Sequence, residues 1–278
     1  MGVAGLAMSQ QRGTHTSRIR DNPEGADLFF VADRSDCSTT SHRYPFRLWG
    51  CVTLGKAICS GTGRLISGAR IGCHQMCNLY RTLPSTAELV ALVRAMDRTG
   101  NEPWAIDVYP DRLAPIIRNG ADGPEVVQAR WGMPTPPQHL RTQRDPGVTN
   151  VRNTSSPHWR RWLGSSSRCL VPLVAFAEPG PDRQPVWFEA IDGAPMFFAG
   201  IETRGWTSVR KVKDGPTTDD LYAFLTCPPN AEVGAIHPRA MPVIFRTPAE
   251  WQAWLTAPWD QVRQLQRPLP DGSLRIVA

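Results

Sequence analysis

Four short stretches of the 278-residue chain carry side chains able to do chemistry. The first is HQMCNLYR, residues 74–81, where Cys77 follows Met76 directly. The second, GVTNVRNTSSPHWRRW at 147–162, sets Asn150 two residues before Arg152 and continues into an aromatic and basic run. The third is Glu178, a carboxylate closing the apolar run RCLVPLVAFAE (168–178). The fourth, AIHPRAMPVIF (235–245), places His237 and Arg239 just ahead of an apolar strand. A thiol is a nucleophile, Glu and His exchange protons, Asn orients by hydrogen bonds, and Arg grips phosphate or carboxylate. Each stretch also has a plainer explanation. Asn150 suits a turn, HWRRW suits a solvated helix face with Trp159 and Trp162 in the core, Glu178 suits a strand reaching the surface, and a His beside Pro suits a structural hydrogen bond. Taken singly, the plainer explanations are the stronger ones.

The elements that must position these residues begin near Met76. PSTAELVALVRAMDRTG (84–100) predicts a helix, with Ser85 and Glu88 spaced as a capping box, Leu89, Leu92, Val93 and Met96 on one face, and Gly100 as the stop. Short β-type runs separated by Pro and Gly follow: WAIDVYP (104–110), LAPIIRNG (113–120) and EVVQARWGM (125–133). The next predicted strands are RCLVPLVAFAE, PVWFEAID (185–192), PMFFAGIET (195–203), LYAFLTC (221–227) and MPVIF (241–245). TPAEWQAWL (247–255) then predicts a helix capped by Thr247, with Pro248 in its first position and Glu250 closing the box. Many short strands with few helices predict an α+β domain around a mainly antiparallel sheet. Residues 1–75 show no sustained period and read as a non-native or disordered extension, with the true start at Met76.

The formal charge of +6 invites a nucleic-acid reading. Residues 1–75 hold 9 basic and 5 acidic side chains and residues 76–278 hold 22 and 20, so the ordered part carries only +2. Any nucleic-acid contact must therefore come from a local patch. No run of about 18 apolar residues and no secretory pattern occurs, which gives a cytoplasmic expectation and no membrane partner. Cys73, His74 and Cys77 are too few for a structural zinc site, and Cys169 and Cys227 lie in apolar runs as expected of buried thiols.

Together, MCNLYR, WGMPTPP (131–137), TNVRNTSSPHWRRWL, RCLVPLVAFAE, FFAGI and GAIHPRAMPVI resemble, in order, the motifs of the SRAP family, the SOS-response-associated peptidases. The resemblance spans Met76 to about Arg275. It implies a single domain on a barrel-like sheet, removal of Met76, and Cys77 as the reactive first residue. It also implies capture of abasic sites in single-stranded DNA, in a nucleoid-associated monomer that uses no cofactor or metal. An N-terminal cysteine carries an amine and a thiol on adjacent carbons. The amine condenses with the aldehyde of an opened abasic sugar, and the thiol closes a five-membered thiazolidine. Reference pKa values of about 7.7–8 for the amine and about 8.5 for the thiol leave both reactive near neutral pH.

Carried over by motif, the resemblance makes Glu178 the general acid/base and gives His237 a proton or phosphate role. Asn150 orients the amine or the sugar. Arg152 and Arg239 meet flanking phosphates, Trp131 stacks on a neighbouring base with Pro110 as support, and Arg81 assists DNA binding. Three positions depart from the family pattern. Pro179 follows Glu178 where an aromatic residue is common, HPRAMP is one residue longer than HxRxP, and Leu79 replaces a common Arg. A competing reading is an N-terminal-nucleophile thiol peptidase using Cys77 with His237 or Glu178 in self-processing. A third is a noncatalytic single-strand binder that tolerates Cys77→Ser.

Overall fold

The computed structural model describes residues 78–100 and 102–277. The expectations for residues 1–75, Met76 and Cys77 lie outside the described residues. In chain order the strands are β1 (Leu79–Arg81), β2 (Met96–Asp97), β3 (Asp107–Val108), β4 (Leu113–Gly120), β5 (Gly123–Trp131), β6 (Asn150–Val151) and β7 (Arg168–Leu173). There follow β8 (Ala175–Pro179), β9 (Pro185–Ala190), β10 (Met196–Lys211), β11 (Gly215–Cys227), β12 (Met241–Pro242), β13 (Ile244–Phe245) and β14 (Leu274–Val277). The helices are α1 (Thr86–Val93), α2 (Ala231–Gly234), α3 (Pro248–Thr256) and α4 (Trp259–Val262).

Strands β11, β10, β7, β4 and β5 lie in that order, and a parallel pairing of β11 with β5 (Leu221 with Arg130, Tyr222 with Trp131) closes them into a five-stranded barrel. A second sheet, in the order β14-β9-β8-β1-β3, packs against it. The α+β class and the barrel-like sheet are therefore as the sequence predicts. The apolar runs explain the arrangement: Met196–Ile201, Leu221–Cys227 and all of β7 are buried without alternation, as strands covered on both faces must be. Tyr80, Trp131, Phe198 and Phe224 meet at the centre with ring centroids 4.2–6.3 Å apart. Edge-to-face and offset contacts of this kind add stability beyond area burial. Among the described residues no helix is long and apolar enough to cross a membrane.

Four predicted elements differ, and of the strand expected over 104–110 only β3, Asp107–Val108, pairs. The helix expected over 84–100 is only α1, because Arg94 turns left-handed (φ 52°) and Met96–Asp97 pair with Glu125–Val126 of β5. The strand ladder outweighs helix propensity there, Ser85 makes no side-chain cap, and Leu92 is exposed. RCLVPLVAFAE is two strands in two sheets, broken at Val174, whose N–H donates to the Arg81 carbonyl (2.8 Å). MPVIF divides at Val243, which bonds both Leu225 and Ala199 and so seats β12 on β11 and β13 on β10. The capping box of α3 forms as predicted, and Trp251, Trp254 and Leu255 face the barrel.

Two arginines, Arg168 fully buried and Arg118 partly so, hold the ends of this framework. Arg168 donates to the Leu163 carbonyl (3.2 Å) and the Ala257 carbonyl, and lies over the Trp254 ring. It thereby supplies positive charge at the C-terminal ends of α3 and the turn Arg160–Trp162, where unpaired carbonyls gather. Burial pulls its guanidinium down to about 10. Arg118 joins Glu125 (2.8 Å), Asp220 (2.7 Å) and the buried Glu202 (3.3 Å) across four barrel strands.

Candidate active site

Side chains alternate along a strand, so Phe176 and Glu178 share one face of β8. Phe176 stacks on Phe188 (5.3 Å) and meets Phe198 edge-on (6.1 Å), which fixes that face as the one toward the barrel. Glu178 therefore points inward and is 1% exposed. Strand β1 lies beside β8 with Leu79 opposite Ala177 and Tyr80 opposite Phe176. Continuing that antiparallel register by one residue brings Asn78 level with Glu178. Tyr80 also faces inward, its hydroxyl 2.5 Å from that of Tyr222. Asn78, two residues back, shares the face.

Asn150 reaches the same place from the barrel. Its strand, β6, pairs with Phe224–Leu225 of β11, and the side chain is buried. The Asn150 amide donates to the Thr149 hydroxyl (3.0 Å), and that hydroxyl donates in turn to the Asn78 side-chain carbonyl (3.5 Å). The Trp131 indole N–H donates to the Thr149 carbonyl (3.1 Å) and holds this segment from beneath.

His237 follows α2, whose first turn is capped by Asn230 accepting from the Val233 N–H (3.2 Å). The His237 N–H closes the turn on the Val233 carbonyl (2.7 Å). Its ring Nδ1 lies 2.9 Å from the Ala240 carbonyl and 3.8 Å from the Glu178 carboxylate. A carbonyl only accepts, so Nδ1 carries the proton and, in the neutral ring, the lone pair is on Nε2. Nε2 is buried and has no hydrogen-bond partner among the described residues. Ala240 belongs to the lengthened HPRAMP segment, which thus fixes the tautomer. The result is a buried carboxylate beside an imidazole of defined orientation. That pair can relay a proton, with an imidazolium stabilised by the neighbouring anion.

Glu178 and His237 are brought together, and Asn150 is linked through Thr149 to Asn78, whose register sets it beside Glu178; the other predicted site residues are dispersed. Trp131 is fully buried, stacked against Phe224 (5.1 Å) and Tyr222 (6.5 Å), so the expectation that it stacks on a base is corrected: its ring has no free face. Pro110 is buried on the wall of a separate cleft. Arg81 pairs with Asp107 (2.8 Å) and lies over the Trp187 ring (4.1 Å). Arg152 is half-buried and Arg239 is exposed. Asn78, Thr149 and Ala240 are members of the site that motif reading did not single out. Asn78 had one signal, its position next to Cys77. The other two act through a hydroxyl and a backbone carbonyl, which residue type does not announce. Among the described residues no three of His, Cys, Asp and Glu gather as a metal site.

The family model described as SOS response associated peptidase (SRAP) matches residues 76–278. The chain belongs to the SRAP family. Membership supports a DNA-damage-related role and, in general terms, peptidase or abasic-site-related activity. Among solved structures, a protein from Bordetella bronchiseptica is 24% identical, with a TM-score of 0.55 over 73% of this chain and 100% of its own. A protein from Bacteroides thetaiotaomicron is 19% identical, with a TM-score of 0.58 over 73% and 92%. A phage-related protein from Bordetella bronchiseptica is 16% identical, with a TM-score of 0.51 over 72% and 93%. These likenesses concern the SRAP fold. Comparison with curated proteins finds no match.

Proposed function

We propose that this SRAP protein captures abasic sites in single-stranded DNA covalently, through Cys77 exposed as the first residue. The observation that supports the reading is the buried Glu178–His237 pair beside the position where β1 delivers Asn78, the residue bonded to Cys77. In the opened sugar the C1 aldehyde is attacked by the Cys77 amine, and loss of water gives an imine. The Cys77 sulfur then adds to the imine carbon and its proton passes to nitrogen, closing the thiazolidine with one water released overall. Glu178 and His237 serve the proton transfers: one accepts from the ammonium formed when the free amine has added, and the other donates to the departing hydroxyl. Asn150, anchored through Thr149, orients the reacting groups. Arg152 and Arg239 are assigned to phosphates flanking the lesion.

A peptide substrate would need the thiol, a base and donors for an oxyanion, but no free amine. The test is intact mass of the full chain before and after mixing with an oligonucleotide carrying one abasic site. A species that begins at Cys77 and gains the DNA mass less one water is expected. A chain that forms no adduct while cleaving peptides through Cys77 would replace this reading with the peptidase one.

A further inference from the structure

Strand β6 is two residues long, so its ladder alone is a slight hold on the segment that carries Asn150 and Arg152. The pairing with β11 ends at Val151, opposite Leu225. Phe224 donates its N–H to the Thr149 carbonyl (3.4 Å), so the Thr226 carbonyl, two residues on, faces the same side of β11. Past Val151 the chain leaves the sheet, and the Arg152 and Thr226 carbonyls converge on one side chain from the C-terminal segment, Gln266. Its Nε2 donates to the Arg152 carbonyl (2.8 Å) and to the Thr226 carbonyl (2.9 Å). Its Oε1 accepts from the Thr154 hydroxyl (3.0 Å).

Two carbonyls cannot bond each other, because both only accept. A neutral primary amide offers two N–H donors on one atom with an acceptor beside it, which is the set these three partners require. The partners also fix which way the amide lies. Turned round, it would set its oxygen against both carbonyls, so the nitrogen faces them. Gln266 stands on an anchored arm. Val262 before it and Leu269 after it are buried, and Trp259 at the start of α4 meets Trp254 edge-on (6.2 Å). Its neighbour Arg267 pairs with Glu250 (2.7 Å), the residue that closes the capping box of α3.

We propose that Gln266 is a positioning residue of the candidate active site. It splices the 150–154 segment to the end of β11 and so holds Asn150 and Arg152 in place. Gln266 acts through the backbone: Asn150 lies two residues before the spliced carbonyl, and its amide reaches Thr149 and, through that hydroxyl, Asn78. Without the splice the two-residue strand is left to fix Asn150 alone, and a displacement of about 1 Å costs a reaction about a hundredfold. That the splice serves covalent capture rests on the abasic-site reading; that it holds the segment does not.

Gln266→Met keeps the length of the side chain but has no N–H, and Gln266→Glu keeps its shape but sets a carboxylate against two carbonyls. Both are compared with the unmodified full chain in single-turnover crosslinking to an abasic oligonucleotide at saturating protein. Hydrogen exchange of the 149–154 segment and a thermal melt accompany it. Exchange in that segment is expected to quicken by at least about tenfold while β4 is unchanged. The rate per folded molecule is expected to fall by about tenfold to a hundredfold. The carboxyl introduced by Gln266→Glu is pushed above its ordinary value of about 4.3 by the acceptors facing it, and once protonated it donates one O–H. Its rate relative to the unmodified protein should therefore recover as the solution is taken from about pH 8 to about pH 5, while that of Gln266→Met stays level. A side chain that only adds stability would give no such contrast. Rates per folded molecule within about twofold of the unmodified protein in both variants would overturn the proposal. So would faster exchange with an unchanged rate, since the segment would then be loosened without consequence for the site. If the unmodified chain itself forms no adduct, the abasic-site reading fails, and exchange at 149–154 still decides whether Gln266 holds the segment.

Discussion

Glu178→Gln isolates the charge of the candidate active site. Gln is isosteric and keeps a hydrogen-bonding oxygen, so packing against β9 and the barrel is retained while the anion 3.8 Å from His237 Nδ1 is lost. General acid/base groups contribute about 10²–10⁴-fold, and the adduct-forming rate at saturating protein is expected to fall within that range. Stability should move the other way or stay unchanged. Glu178 is 1% exposed, and a buried carboxylate is costly to desolvate. Relief of about 1 kcal/mol raises the melting temperature of a domain this size by about 2–4 °C. The assay is single-turnover crosslinking to an abasic oligonucleotide, quantified on denaturing gels, beside a thermal melt and anisotropy on an undamaged strand. Affinity for that undamaged strand should be unchanged within about twofold, since the substitution removes no cation. A rate within about threefold of the unmodified protein would remove Glu178 from the chemistry. A slow variant that also melts much lower would show a structural carboxylate instead.

Gly147→Ala should be among the most damaging single-methyl changes. Gly147 has φ +79° and an added Cβ would lie 2.9 Å from the Gly132 Cα and against the Arg210 guanidinium, so left-handed strain joins displacement of a buried arginine; a loss of about 3–5 kcal/mol by denaturant melt is expected, and less than about 1 would refute the argument. Cys169 and Cys227 are buried thiols, the first pushed well up by burial and the second pushed up to about 12. Iodoacetamide at about pH 8 followed by peptide mapping should leave both unmodified in the native protein and label both in denaturant; native labelling of either would contradict the packing.

Local chemistry made much of this legible. LAPIIRNG becomes β4 residue for residue, because its β-branched centre and terminal Asn-Gly suit a strand leading into a tight turn. Thr247, Pro248 and Glu250 form their box because capping is decided within four residues. What was hidden depends on distant partners. Nothing near Arg94 says that Met96 will pair with Glu125 and end the helix. The β10–β11 hairpin runs past its apolar half because Thr207 and Thr218 bond hydroxyl to hydroxyl (2.8 Å) across strands that carry little hydrophobic signal. The motif WGMPTPP gives Trp131 a stacking role, and a motif reads alike whether its aromatic ring lies in a core or on a surface. Asn150, Glu178 and His237 were nameable by motif, but their meeting was not: it needs β1, β6 and β8 in register.

The depth of that dependence can be tested by shifting one strand. Strand β1 is held on both sides, Tyr80 lying opposite Phe176 of β8 and Val108 of β3. Because Tyr80 is locked into the aromatic centre, Leu79–Arg81 cannot slide without burying Leu79 or Arg81 in its place. The register is therefore rigid, and whatever precedes Leu79 is delivered to a fixed point and a fixed face. Inserting one alanine between Asn78 and Leu79 moves the preceding residues by about 3.3 Å and turns them to the opposite face. The core is untouched, so the melting temperature should change by no more than about 2 °C, the equivalent of less than about 1 kcal/mol. Adduct formation should be lost. Two inserted alanines restore the face but add about 6.6 Å of displacement, which should leave activity low. If one alanine costs nothing in rate, the strand does not position the reactive residue, and the pairing of β1 with β8 is scaffolding alone. If one costs far more than two, facing rather than distance is the controlling variable.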